Sequence, residues 1–432
     1  MIKFHPQHLE LHQEIHARPY PKIATPCVIS HISFFHDKKE VTREYECLNQ
    51  LAKTFHVNGI SEGTHSYFQE FENFSLRWEN HREFSSITII RSMSKKLPVN
   101  TSALDIFPEG WLDSFPGEVI SATNISISSA FNEKTVESHI GKRPSIASQL
   151  IDEQFTLWTS LHLDSQGFTR FFICDNAQTK KNMGLKQLGR IVLKIVEVET
   201  YRQMALLALP LAKEIAPKAS ILGQQCAGIL ENMTKIDNPT DERKLLQELT
   251  GIAAEVEKLR AASSYRFSAT HAYAKLVNSR IEELDENRIR NKDMFGEFVH
   301  RRFMPAIRTC KSVQAQLESL SKRLTRASDL LRTKVDQTIA EQNQKLLESM
   351  NRRSHLQLRL QQTVEGLSVA AISYYLISLL KIFLHGVNGH FVTFDENLVL
   401  TISAPLVLLA IYMIVRNMKK HYTDRDTPKV EN

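Results

Sequence analysis

The chain has 432 residues, a formal net charge of +6 at pH 7 and 24% charged residues. That length admits one sizeable core plus a helical region, or two domains, and the ordinary charge content excludes a protein that binds nucleic acid by bulk electrostatics. Five cysteines, Cys27, Cys47, Cys174, Cys226 and Cys310, lie far apart with no CxxC pair, which excludes a disulfide framework and a zinc knuckle.

The N-terminal segment carries His5, His8, His12 and His16, spaced by three, four and four. If Pro6 opens a helix, they form either a stripe able to chelate a transition metal or an exposed polar face. Met1 to Arg18 holds no apolar core of the kind a secretory signal needs, so export of the body is not expected. Arg18 precedes Pro19, whose ring restricts it to extended backbone. Its planar fork is thereby presented to a carboxylate, either a ligand's or one of Glu79 and Glu83.

Residues 1–180 read as an α+β domain. Cys27 to Phe35, Ser85 to Arg91, Val119 to Ile127, Phe155 to Leu163 and Thr169 to Cys174 are rich in β-branched and aromatic residues and bounded by turn formers. Asp164 to Gly167 predicts a hairpin between the last two. Val41, Tyr45, Leu48, Leu51 and Ala52 have helical spacing, with Asp37 as a potential N-cap. Arg77, Glu79, His81 and Glu83 share one parity, so on a strand all four project from one face, with Trp78, Asn80, Arg82 and Phe84 on the other. Two carboxylates flanking an imidazole bind a divalent ion or perform general acid and base chemistry, or else form a self-compensating ion-pair ladder. With Glu14, His16 and Arg18 they make up the candidate ligand or polar cluster, and the two segments are expected to meet in the fold because burying either alone is costly.

From Leu185 onward strand texture gives way to helices. Residues 181–305 read as helical hairpins punctuated by Pro210, Pro217 and Pro239, and residues 306–366 as a stalk helix without a break. Along it Val313, Leu324, Val335 and Leu346 recur every eleven residues, as do Leu317, Ile339 and Met350. A period of about 3.67 residues per turn implies a straight bundle that needs a partner, from the same chain or another copy.

Residues 367–387 and 398–415 are apolar and each long enough to cross a hydrocarbon core. Arg352, Arg353 and Arg359 precede the first, and Arg416, Lys419, Lys420 and Arg425 follow the second, whereas the loop 388–397 has neither Lys nor Arg. By the positive-inside rule the body and the basic tail 416–432 are expected in the cytoplasm and the loop in the periplasm. Phosphate-loop, dinucleotide, zinc-protease and nucleophile-elbow motifs are absent from the sequence.

Several stretches resemble a bacterial family of uncharacterised membrane-anchored proteins. They are Glu14, His16, Ala17, Arg18 and Pro19; Arg77, Trp78, Glu79, His81, Glu83 and Phe84; Pro116 and Gly117 after Trp111; Glu197 to Leu209 around Glu199, Thr200, Tyr201 and Arg202; and Leu358 to Tyr375. The resemblance implies an inner-membrane, multi-pass protein and brings no established activity. More distantly, the order of parts resembles CorA-type magnesium transporters, whose first span ends in Gly-Met-Asn. Here Gly386, Val387 and Asn388 take that place, followed by Asp395 and Glu396. Gly and Asn also stop helices, and Lys381 would put a ring of ammonium groups into a pore lined by the first span. The expectation is a membrane-anchored scaffold or sensor that associates with copies of itself and with the bilayer. A CorA-like divalent cation transporter is the alternative, and a membrane-tethered enzyme around His81 the third reading. No catalytic residue, metal or cofactor is assigned and no nucleic acid is expected; room is left for a small ligand or a divalent cation.

Overall fold

The computed structural model describes residues 3–8, 21–36, 40–93, 97, 99, 101–108, 110–129, 132–141, 146–176, 182–233, 239–387 and 396–423. β-Branched and aromatic runs become β1 (Cys27–Phe35), β4 (Phe84–Ser92), β5 (Glu118–Ser128), β7 (Phe155–Leu163) and β8 (Thr169–Asp175). They are joined by β2 (Ser66–Glu70), β3 (Phe74–Asn80), β6 (Ile146–Leu150) and β9 (Glu286–Arg288). The strand order is β2-β3-β4-β1-β5-β8-β7-β6-β9, antiparallel except where β5 meets β8. Asp164 shapes the hairpin between β7 and β8 by accepting from the backbone of Gln166 (2.9 Å) and Phe168 (3.0 Å).

Period-2 alternation sends each strand's side chains to two different cores. On one face, Val28, Ile32, Trp78, Ile87 and Ile89 pack with Tyr45, Leu48 and Leu51 of α1 (Val41–Thr54), while Trp158 and Phe172 pack with Val136 and Ile140 of α2 (Glu133–Ile140). Buried Glu44 anchors α1 by accepting from Trp78 Nε1 and Ser85 Oγ, both at 2.7 Å, and burial pushes its carboxyl above the usual range. Asp37 lies outside the described residues, and the position before α1 is Glu40, which makes no side-chain cap bond. On the other face, Ile29, Ile125, Phe171 and Ile173 pack under α3 (Asn182–Leu206). Gly189 lets α3 touch the incoming chain, since a Cβ there would lie 2.0 Å from the Pro21 carbonyl oxygen.

α4 (Ala208–Met233), α5 (Pro239–Glu282), α6 (Phe295–Val387) and α7 (Glu396–Thr423) follow. Three expectations are corrected. Strands do not end near residue 180, because β9 pairs with the edge of β6; at three residues it is too short to show a sequence period. Pro217 does not punctuate a helix but sits inside α4, between buried Ile215 and Ala219, where packing outweighs one lost backbone hydrogen bond. The long helix begins at Phe295, ahead of Pro305 and not after it. Its first turn is held by Glu286, whose carboxylate accepts from Gly296 N–H at 3.1 Å, as the positive end of a helix favours.

Two compact units result, Met1–Ile236 with Lys244–Asp329, and Asp237–Arg243 with Leu330–Asn432. The first contains the sheet and is called the head below. In the second, Lys334 Nζ lies 3.6 Å from the buried Glu242 carboxylate. α6 and α7 each contain a window long and apolar enough to cross a membrane, with mean hydropathy 1.9 and 2.6. Lys381 is exposed on α6, Gly386 and Val387 are its last residues, and Glu396 is the first of α7. Asn388 and Asp395 lie outside the described residues.

Candidate functional site

β3 sends Phe74, Leu76 and Trp78 toward α1, so its odd-numbered residues face α3. Arg77 and Glu79 are each only 6% exposed there, and Arg77 Nη2 donates to Glu79 Oε1 at 2.9 Å. Such a pair taken out of water is retained only with good geometry, because desolvation consumes much of the Coulombic gain. β3 ends at Asn80, and the turn to β4 lays the His81 ring against Phe84, with centroids 4.3 Å apart. His81 N–H donates to the Phe84 carbonyl at 2.8 Å.

The facing wall comes from α3. Leu193, Val196, Glu197, Thr200 and Tyr201 fall at helical spacing on one side and line the same cavity of about 180 Å³ as Arg77, Glu79 and His81. Arg280, near the end of α5, closes it by donating from Nε to Glu197 Oε2 and from Nη1 to Glu283 Oε1 (2.8 Å). Burial raises the Glu197 carboxyl above its ordinary range despite the attraction of Arg280, and nearby Glu79 adds to the rise.

His31 of β1 supplies the floor. One ring nitrogen lies 2.8 Å from Thr88 Oγ1, and the other 3.1 Å from Ser33 Oγ and 3.2 Å from Thr200 Oγ1. Burial, reinforced by the positive fields of His81 and Arg77, lowers its pKa to about 3, so the imidazole is neutral near pH 7. Its hydroxyl partners each donate or accept, so both tautomers are accommodated.

Of the residues singled out from sequence, Arg77, Glu79 and His81 line one cavity. Glu83 does not share it: its carboxylate accepts from Arg266 Nη2 and, at 2.8 Å, from Tyr273 Oη of α5. The expected single-face ladder is corrected here, because the strand stops at Asn80 and the turn resets the parity; Phe84, assigned to the opposite face, lines the cavity beside His81. Glu14, His16 and Arg18 lie outside the described residues, and so does their expected meeting with 77–84. His31 and Arg280 were not singled out. His31 left a trace as the one ring nitrogen base in an otherwise apolar and hydroxyl-bearing strand, whereas Arg280 is one basic residue among many on a long helix.

Chemically the cavity is polar and charge-compensated. Arg77 pairs with Glu79 and Arg280 with Glu197, while Thr200, Ser86 and His31 add neutral donors and acceptors. Among the described residues no group of three or more His, Cys, Asp or Glu is arranged to hold a metal ion. This inventory suits a small molecule with both donors and acceptors better than a bare cation. No curated protein matches the chain. The family described as "Protein of unknown function (DUF3422)" matches residues 3–422, through the cavity-forming segments and both apolar helices, and the chain belongs to it.

Proposed function

We propose that the protein is a membrane-anchored sensor whose head takes a small polar molecule into the cavity between β3 and α3. The observation that carries this is the gathering of Arg77, Glu79, His81, Glu197, Thr200 and Arg280, from distant parts of the chain, around open volume. The pairs Arg77–Glu79 and Arg280–Glu197 balance each other's charge at the wall of the cleft, and a largely preformed cleft with a few convergent polar groups is the usual setting for recognition of a small molecule. The two apolar helices serve as the anchor, in a bacterial inner membrane with both ends of the chain cytoplasmic, and copies of the chain associate through α6. Conduction of a divalent cation competes for the same two helices, and Lys381 within the first weighs against it.

The test is thermal unfolding of the full-length protein in detergent against amino acids, hydroxy acids and dicarboxylates. One class should raise the melting temperature, and His81→Ala should keep the ligand-free melting temperature while losing that rise. Arg77→Ala should cost about 3–5 kcal/mol even without ligand, because it removes a charged donor from the buried Glu79 carboxylate. If no compound shifts the wild type and native mass spectrometry detects no co-purified small molecule, the sensor reading fails.

A further inference from the structure

We infer that a second cavity in the head, between the β7 bulge, α3 and α6, binds an organic anion: a carboxylate or phosphate carried on an apolar body. Its volume is about 270 Å³, and it lies apart from the first cavity, with no lining residue in common. Leu161, Leu206 and Phe298 line it, and its charged or titratable residues are Arg202, Arg302 and His162. No Asp or Glu is among the residues that line it.

Each polar group is placed by an identifiable device. The pairing of β7 with β8 shifts register between Thr159 and Leu163, and Leu161 takes φ +51°. An L residue with a branched side chain rarely adopts that conformation, and it is stabilised here by Leu161 N–H donating to Thr159 Oγ1 at 3.0 Å. The bulge places His162 in the lining of the cavity, its Nδ1–H donated to the Ser160 carbonyl at 2.6 Å. Arg202 is oriented by buried Glu199, which accepts from Nη2 at 2.7 Å, while the buried Nε–H finds no partner among the described residues. Arg302 lies over the Phe298 ring, 5.5 Å from its centroid.

Glu199 engages only Nη2 of Arg202 and no Asp or Glu lines the cavity, so an entering anion meets guanidinium donors without displacing an acid from the lining, and planar guanidinium forks match the oxygens of carboxylate and phosphate. The apolar walls set the rest of the ligand. A cavity of about 150 Å³ holds benzene, so this one admits a two-ring body or a short acyl chain. The same chemistry is offered by a soluble aromatic acid and by a phospholipid headgroup with its first methylenes.

Titration calorimetry on the full-length protein in maltoside micelles separates these outcomes, using 2-naphthoate, neutral 2-naphthamide and dihexanoylphosphatidic acid as probes. Saturable binding of at least one anion is expected, weakened about tenfold or more by Arg302→Glu, without saturable binding of 2-naphthamide. Because Arg302 is exposed, that variant should fold normally, and its isotherm also subtracts partitioning into micelles. His81→Ala, which affects only the first cavity, should leave anion binding unchanged. Preference for naphthoate identifies a soluble acid as the source, and preference for phosphatidic acid a lipid. The inference is overturned if neither anion binds saturably, or if naphthoate and naphthamide bind alike and Arg302→Glu changes neither.

Discussion

His31 stands in a strand of β-branched, aromatic and hydroxyl-bearing residues, and the fold keeps it neutral by burying it among hydroxyls. Its pKa falls from 6.5 to about 3, so the unfolded chain takes up a proton at mildly acidic pH that the folded chain refuses. The stability this contributes is complete above about pH 6.5 and is lost as pH falls from there toward the folded value, at a limiting slope of about 1.4 kcal/mol per pH unit. Glu197 has the opposite sign: with its pKa raised, its contribution is complete below the unfolded carboxylate value and is lost as pH rises through the elevated one. His31→Gln removes only the first effect. Chemical denaturation at several pH values should show a variant that is weaker near pH 7 but loses less stability than wild type on going to about pH 5. Parallel curves would mean that His31 titrates normally.

At the scale of elements, the eleven-residue stripe has two fates. Its members Val313, Leu317 and Leu324 are buried, as are Leu320 and Ala327 beside them, and hydrogen bonds across α5 and α6 name the partner. His271 Nε2 lies 3.2 Å from Gln314 Oε1, and Ser321 Oγ donates to Glu257 Oε1 at 2.7 Å. Contacts descend along α5 as they ascend along α6, so the two run antiparallel and this part of the stripe packs within its own chain. From Ile339 onward the stripe is open: Leu346 is 61% exposed, against 1% for Leu324. Leu324→Lys should therefore cost on the order of 3–5 kcal/mol, whereas Leu346→Lys should stay within about 0.5 kcal/mol, both read by denaturant unfolding of the full-length protein. If self-association runs through the open part, sedimentation in detergent should show Leu346→Lys at lower mass than wild type; equal masses would place the association elsewhere or remove it.

For the whole molecule, the two apolar helices lead to a prediction of topology. Basic residues flank both outer ends of the pair and are absent between them, so a reporter fused after Asn432 should be active only in its cytoplasmic form, and one inserted at Asn388 only in its exported form. An exported C-terminus would remove the hairpin arrangement, while leaving both cavities of the head untouched.

Five of the nine strands among the described residues, the helix over Val41–Thr54 and the two apolar helices were legible because each is written in a local period of two or 3.6, or in an unbroken apolar run, whereas the short β2 and β6 were not. The Arg77, Glu79, His81 grouping was legible for the same reason, as charged residues at alternate positions in a run that otherwise belongs to a core. Their partners were not, since Glu197 and Arg280 lie more than a hundred residues away and reach the cavity only because α3 crosses the sheet and α5 packs on α3. β9 exists only because β6 offers an unpaired edge, Pro217 stays helical only because its neighbours are buried, and Glu83 leaves the group only because the hairpin turns at His81. Of the second cavity only Arg202 stood out along the chain, as part of the Glu199 to Arg202 stretch; Arg302 and His162 are ordinary charged or polar residues until a bulge and two helices bring them together with it. Local pattern thus specified which segments form and which face each one buries, while the encounters between segments that give either cavity its chemistry were decided by packing, where contact depends on distance in space and not along the sequence.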